Sequence, residues 1–595
     1  MIPPNVNFHV PNPAIRWKEY GLRVPVRPIR LPCHSSSGRS LISLSSSGIG
    51  GANGHCVVES PPFRQVVEPF WSVKSFEVPH LFIAGALSPR STMSLAEGLK
   101  HTISHLDPQS ISLILGRRSR SMPWRSYSLL TKGNLKKFSE PYLTNGNHDT
   151  PLVFVFSGQG PQHLHSKFDI LLSIWTGLTI WIIVGRYLFR ACSVFRSSIL
   201  EMDRVYSSVC GESLIEKTGL FDETVKPSEE LQEPWPIAIT LPALAMFQIA
   251  LFDVLTALGT KPNVVIGHSA GETAVLYASG AGSKAMAVEL AIARGQAMSI
   301  IEHESGSMAA LSCSPEMAQE FIRESGVDLD IACYNTPNAI TLSGPSSSLD
   351  KIIAKAEAVG IFARRLRTRI PVHSSMMEAC QFEYRKLVEA VFERHPIAIP
   401  SIPTYLTGSG KLMKSTFSPD YFWDSARGPV LFTDAIQSIL QDYTSASYVE
   451  ISPHPVLSSY LDFLSSGSAV IVCPLRRSKP GREETEIYHL LDALGKLVAA
   501  GHNCIDFNIL NGTHGEEADH LLPQYPFVPR KVVLTVQSSA IAKVRQSRNG
   551  PFNPHLQINT ISHPQLAQHV IKAEPIMPAT GFLEMVGAKL NLNEA

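Results

Sequence analysis

The hexapeptide Gly267-His268-Ser269-Ala270-Gly271-Glu272 constrains this chain more than any other stretch of it. The apolar run Val264–Ile266, after Asn263, reads as a short buried strand, and the alanine-rich Thr273–Gly280 reads as the helix that follows. A serine between two glycines at such a corner is a nucleophile elbow. Side chains at Gly267 and Gly271 would collide across the turn. Ser269 would be held in a strained position with its hydroxyl exposed, and the Ala270 N–H at the helix start would point at a developing oxyanion. The alternative is a chance GxSxG in a loop. The strand before it and the helix after it favour the catalytic reading.

Bulk properties narrow the setting. A length of 595 residues gives a prior of about four domains. An apolar share of 44% is enough for sizeable cores, and the 17% charged share lies below the usual ~25%. A net charge of +1 argues against a dedicated nucleic-acid surface. Nine cysteines without a CxxC pair point to a reducing, cytoplasmic setting with neither a disulfide framework nor a metal site. The N-terminus lacks the basic region and apolar core of a signal peptide. The run from Ile170 to Val184 looks membrane-like, but it falls short of the roughly 20 residues a spanning helix needs. The expectation is no membrane association.

Along the chain, a Gly/Ser run from Ser43 to Gly54 leads into the strand-like His55–Glu59. Residues 61–150 alternate short strands and helices and carry Arg117-Arg118-Ser119-Arg120, read as a solvated face. From Leu152 a β/α alternation predicts a parallel sheet with flanking helices. Between about 305 and 370 the pattern shifts to short strands and amphipathic helices, read as an inserted ferredoxin-like α+β subdomain. The main sheet resumes near Tyr448–Ile451, and the stretch Leu521–Phe527 reads as an ordered linker.

Ser269 needs a base. His268 is adjacent and its side chain should project away from the Ser269 hydroxyl, which suits a lining role. His373, in Ile370–Ser375, lies at the return from the inserted subdomain and is either a structural histidine or a base reaching the elbow from the facing wall. Arg294, on an alanine-rich helix, is either a surface arginine or a fixed guanidinium gripping a substrate carboxylate bidentately. Gly158-Gln159-Gly160, after the first apolar strand, suits backbone donors to an acyl carbonyl.

Phe156–Gln162, the elbow, Ala293–Gly295, Tyr334–Asn338, His373-Ser374 and Val449–Pro455 occur in one order. Together they resemble the malonyl-type acyltransferase domain of polyketide and fatty acid synthases. The likeness extends further. Asn12–Ile15 and Gly50–His55 are similar to the last strands of a β-ketoacyl synthase (residues 1–60), with His55 in a structural position. Residues 61–150 are similar to the synthase–acyltransferase linker, 151–478 to the acyltransferase and 479–550 to the segment that follows it. Residues 551–595, with His563–His569 and Pro578–Gly581, resemble the opening of a hot-dog dehydratase, a partial site at His569. The variant GQGPQH is closest to reducing, fungal-type iterative synthases.

The resemblance implies a ping-pong transacylase. Ser269 takes malonyl from malonyl-CoA and passes it to the phosphopantetheine thiol of an acyl carrier protein. His373 is base then acid, Arg294 holds the malonyl carboxylate, Gln159 and Ala270 supply oxyanion donors, and His268 lines the site. No cofactor is bound in this fragment. A backbone carbonyl orients the histidine, expected from the Ser452–Pro455 loop. The remaining synthase domains are the implied partners. Ala573 replaces the dehydratase glycine, and no synthase cysteine is present. Family members pass from GQGPQH almost directly into Gly-Arg-x-Leu-Phe, whereas here Ser166–Val184 intervenes. It is read as an anchor, an extra buried helix or, preferably, translated intron sequence. Two other functions stand beside the acyltransferase: a GxSxG serine hydrolase, and an inactive truncated synthase fragment. The choice between malonyl and methylmalonyl is not legible in Ile370–Val372.

Overall fold

The computed structural model describes most of residues 70–526 (not 73–77, 104–106, 145–149, 159–183, 223, 227–234, 477–485, 513–521 or 524), much of 2–59, and 570–571 with 574–575. Two compact units result: Met1–Gln65 with Val528–Ala595, and Val66–Phe527. In the first unit, β1 (Leu41–Ser47) and β2 (Asn53–Glu59) form an antiparallel pair with Leu41 opposite Glu59. His55 shares a 2.8 Å hydrogen bond with Ser45 across this pair. The segment 166–183, Gln159 and His569 lie outside the described residues.

The second unit begins with β3 (His80–Ala86), α1 (Pro89–Thr102), α2 (Pro108–Ser119) and β4 (Trp124–Thr131). Both helices start for local reasons. Ser88 and Asp107 cap the free N–H groups of Ser91 and Ser110, and a proline with its preset φ follows each cap. β3 pairs antiparallel with β4, which also carries the short β5 (Asn134–Leu135) and β6 (Tyr142–Leu143). Arg117, Arg118 and Arg120 are exposed, but they are more than a solvated face. Arg117 bonds the Asn508 side chain and Arg120 donates to the Ile505 carbonyl at 3.2 Å.

The main sheet uses β7 (Leu152–Phe156), β8 (Val264–Gly267), β13 (Thr404–Leu406), β14 (Lys411–Leu412), β15 (Ser447–Ile451) and β16 (Ile471–Val472), in the order β14-β13-β8-β7-β15-β16. All described neighbours are parallel except β13–β14. β7, β8 and β15 are buried along their whole length, which is why they read as unbroken apolar runs rather than alternations. Phe154, Phe156 and Val265 enter the core on one face; Val153, Val155 and Ile266 enter that on the other.

Helices α3 (Arg186–Ala191), α4 (Ser193–Cys210), α5 (Ile237–Ala257), α6 (Glu272–Ala278) and α7 (Lys284–Met298) cover the first face. The sequence reading did not single out α5, yet it is long and apolar enough to cross a membrane. Almost all of its apolar stretch is buried here, so it is a core helix, hydrophobic all round because it is surrounded.

Residues 306–365 run β9 (Gly306–Leu311), α8 (Pro315–Ser325), β10 (Asp330–Thr336), β11 (Ala339–Pro345), α9 (Ser346–Ala358) and β12 (Ala363–Arg365). Their antiparallel sheet has the order β10-β11-β9-β12 and its own core around Leu311, Phe321, Leu342 and Ile352. The chain then returns through α10 (Gln381–Arg394), α11 (Pro419–Arg427) and α12 (Phe432–Asp442), and α13 (Glu486–Ala499) packs against β3 and β4.

Candidate active site

β8 ends at Gly267 and a helical turn over Ser269–Gly271 passes into α6. A Cβ on Gly271 would stand 2.2 Å from the Phe156 carbonyl oxygen, and one on Gly267 would stand 2.7 Å from the Glu272 backbone. Both positions therefore exclude a side chain. Ser269 sits at φ +55°, a left-handed conformation that costs a non-glycine residue about 1–3 kcal/mol and persists only where the surroundings enforce it. Gln248 of α5 braces the strand ends beneath, donating to Ser157 O at 2.8 Å and Ile451 O at 3.0 Å.

His373 lies in a turn that follows the small sheet in the chain, and it meets this serine. Ser269 Oγ and His373 Nε2 are 2.7 Å apart. His373 Nδ1 is 2.8 Å from Gly428 O, and its backbone N–H donates to Ala426 O at 3.0 Å. A carbonyl oxygen only accepts, so Nδ1 carries the proton and Nε2 offers its lone pair to the serine hydroxyl. His373 also has a positive φ, +62°. Burial is the first cause that pushes its pKa down, to about 4, so the imidazole is neutral at pH 7.

The orienting carbonyl is Gly428, just after α11, and not the Ser452–Pro455 loop. The polar groups in and beside that loop are engaged elsewhere. Ser452 Oγ donates to His454 O at 2.7 Å, and the buried Glu450 carboxylate accepts from Val456 N at 2.6 Å, Leu457 N at 2.9 Å and Ser458 Oγ at 2.6 Å.

His268 faces away from the serine. Its Nε2 lies 2.9 Å from Asn335 Oδ1 on β10, and its ring meets Phe432 edge-on at 5.3 Å. Burial lowers its pKa as well. Asn335 lies in the Tyr334–Asn338 motif, and nothing in the sequence says which element it faces.

Arg294 is buried on α7 rather than on the surface. Its Nε donates to Tyr384 Oη at 2.8 Å, Nη1 to Thr273 Oγ1, and its Cζ lies 5.6 Å from the Phe422 ring centroid. No ion pair is made to it among the described residues. The nearby Glu272 carboxylate is engaged by Thr407, Tyr421 and Ser425. The hydrogen-bond partners of the buried guanidinium are thus neutral, while the Glu272 carboxylate acts on it through space.

These groups share one cavity, part of it open to solvent. Gly158, Ser269, Ala270, Arg294, His268 and His373 line it, with Ile237, Leu241 and Met298 from the main layer and Met308, Cys333 and Leu366 from the small sheet. The site thus lies between the two sheets.

The acyl transferase domain family matches residues 153–487, and the ketoacyl-synthetase C-terminal extension matches residues 11–129. The highly reducing polyketide synthase stpks1 of Strobilurus tenacellus is 42% identical over 98% of this chain and 20% of its own length. The highly reducing polyketide synthase sphB of Aspergillus fumigatus is 31% identical over 78% of this chain and 17% of its own. The chain therefore spans about a fifth of the length of the curated relatives it matches. The crystal structure of the acyltransferase domain from module 8 of the salinomycin polyketide synthase superposes with a TM-score of 0.58 at 22% identity, over 72% of this chain and 98% of that one.

Proposed function

The chain belongs to the acyl transferase domain family of polyketide synthases, and on that premise we propose that it loads malonyl from malonyl-CoA onto an acyl carrier protein through an acyl-Ser269 intermediate. One observation carries the reading: the Ser269–His373 hydrogen bond and the buried guanidinium of Arg294 face a single cavity. His373 Nε2 takes the Ser269 proton as Oγ attacks the thioester carbonyl. The Ala270 N–H, joined by that of Gln159, stabilises the oxyanion. The C–S bond breaks, His373 returns the proton to the coenzyme A thiolate, and the phosphopantetheine thiol repeats the sequence in reverse. Arg294 binds the malonyl carboxylate, which distinguishes malonyl from uncharged acyl groups.

The β-α-β-β-α-β unit of residues 306–365 is read as an inserted ferredoxin-like subdomain that supplies one wall of the site. Residues 1–60 and 61–150 are read as a synthase tail and a spacer, and 551–595 as the start of a dehydratase. The partners are then a carrier protein and the remaining synthase domains, in the cytoplasm.

The test is incubation with malonyl-CoA followed by peptide mass spectrometry. A malonyl adduct on Ser269 that is absent from Ser269→Ala and discharged by carrier-protein thiol is expected. Hydrolysis without transfer to the thiol points to a hydrolase, and no adduct at all points to an inactive fragment.

A further inference from the structure

The acid of a Ser-His-acid triad is missing from the described site, because a carbonyl of Gly428 occupies its place. That carbonyl is only as well placed as the element that carries it. His373 is held twice by the C-terminal end of α11, through Ala426 O and Gly428 O. α11 is in turn held by a carboxylate three residues beyond the nucleophile. The Glu272 side chain accepts hydrogen bonds from Tyr421 Oη and from Ser425 Oγ at 3.2 Å, both on α11. Its other oxygen accepts from Thr407 N at 3.0 Å and Thr407 Oγ1 at 2.6 Å. Thr407 Oγ1 lies also 2.8 Å from Gly267 O at the end of β8. One buried carboxylate thus ties the elbow to the helix that aims the base.

We propose that Glu272 is a positioning residue for His373, acting through Tyr421 and Ser425 on α11 and thereby fixing the Gly428 carbonyl against Nδ1. A second strand of geometry runs beside it. Thr273 holds Arg294, which donates to Tyr384, whose hydroxyl donates to Phe422 O at 2.9 Å on the same helix. Glu272 and Thr273, the first two residues of α6, hold the scaffolds of base and carboxylate clamp respectively, so nucleophile, base and clamp are set from a single helical turn. The glutamate makes this link because four donors converge on it. An apolar residue there would leave them unsatisfied in the core, and a shift of about 1 Å in the base is enough to cost roughly a hundredfold in rate.

The inference rests on the acyltransfer reading for its kinetic arm but not for its spectroscopic one. The variants are Tyr421→Phe with Ser425→Ala, which cut α11 from Glu272 and leave Thr407 attached, and Glu272→Gln. With malonyl-CoA, acylation of Ser269 is expected to slow at least about tenfold, with KM changed by less than about twofold, because the carboxylate clamp is untouched. Independently, 15N NMR of histidine-labelled protein, with His373 assigned through His373→Asn, reads the tautomer. The wild type should be Nδ1–H, and the α11 variants should shift toward Nε2–H as the Gly428 acceptor drifts. A wild-type tautomer in a folded Tyr421→Phe/Ser425→Ala protein overturns the proposal, whatever the rates. If that double variant fails to fold, Tyr421→Phe alone is read by the same tautomer criterion. If wild-type Ser269 takes no acyl group, the functional reading falls, while the tautomer still decides the positioning role.

Discussion

At the scale of single residues, the proposed chemistry rests on a buried neutral imidazole and a buried guanidinium. His373 is buried and neutral, with its pKa pushed to about 4. For a free enzyme, the acid limb of kcat/KM reports the essential base, so acylation of Ser269 should persist well below pH 6.5 and fail only as pH approaches about 4. Measuring the acylation rate from pH 4 to 8 checks this; an acid limb near 6.5 contradicts it. The same depression acts on stability. The unfolded imidazole takes up a proton near its ordinary pKa of about 6.5 while the folded one does not. His373 therefore withdraws stability as pH falls from about 6.5 toward 4.

Arg294 is the second case. Its guanidinium is positioned by Tyr384 and Thr273 yet lacks an anionic partner among the described residues. Arg294→Ala should lower kcat/KM for malonyl-CoA by about 10- to 100-fold, the range of a charge-assisted hydrogen bond, and should change that for acetyl-CoA by only a few-fold. Equal losses with both substrates remove Arg294 from carboxylate binding. Both residues were legible in the sequence as types in a motif order. Their supports were not. Gly428, Tyr384, Asn335 and Gln248 act through a carbonyl, a hydroxyl or an amide at long sequence separation, and a backbone carbonyl leaves no mark on residue identity. The expectation of an orienting carbonyl from Ser452–Pro455 failed for that reason: the carbonyl that meets His373 belongs to Gly428, and Ser452 Oγ is turned to His454 O.

At the scale of elements, the strands announced themselves and the elbow glycines explain themselves. LVFVF and VVI are continuous apolar runs because parallel strands in the middle of a sheet are covered on both faces. Gly271→Ala would drive a methyl into the Phe156 carbonyl, against backbone that has no rotamer to give way. We expect a loss of several kcal/mol, of order 3 or more, seen as a lower denaturation midpoint, together with loss of Ser269 acylation. Retained stability and activity would show that the strand–turn–helix corner is looser than its geometry. The helix that follows the undescribed segment has a different support. The buried Glu486 carboxylate accepts from Gly185 N at 2.5 Å and Leu188 N at 2.9 Å, capping α3 from α13. Burial raises its pKa to about 7. A carboxyl whose folded pKa exceeds its unfolded value holds its proton more tightly when folded, so its contribution declines as pH rises from about 4.5 through 7. In Glu486→Gln this decline disappears. Whatever constant cost the amide adds, the Tm of the variant relative to wild type should climb between pH 5 and 8; a flat difference contradicts it.

At the scale of the molecule, the layer that precedes the main sheet is joined to the segment that follows it by several hydrogen bonds, with one buried side chain at their centre. Arg125, on β4, is 2% exposed. It donates to Arg120 O at 2.6 Å, Val498 O at 3.0 Å, Asn503 Oδ1 at 2.9 Å and Met122 O at 3.2 Å. Burial pushes its pKa down to about 10, which still leaves it charged at neutral pH. A buried cation satisfied only by carbonyls and an amide is costly to form and costlier to break, because truncation strands several acceptors at once. Two further contacts bind the same halves: Tyr127 Oη to Asp492 at 2.9 Å, and Leu87 N to Tyr525 Oη at 3.0 Å. The pattern makes Val66–Phe527 one cooperative unit rather than an acyltransferase with detachable flanks. Arg125→Ala is therefore expected to lower the stability of the whole unit by about 3–5 kcal/mol, read as a shift in the urea midpoint that is the same by tryptophan fluorescence and by loss of Ser269 acylation. It should leave kcat/KM of the folded protein unchanged, since Arg125 touches none of the groups that line the cavity. If fluorescence and activity lost their signals at different urea concentrations, the flanking layer would be unfolding on its own, and the two halves would be neighbours rather than one structure.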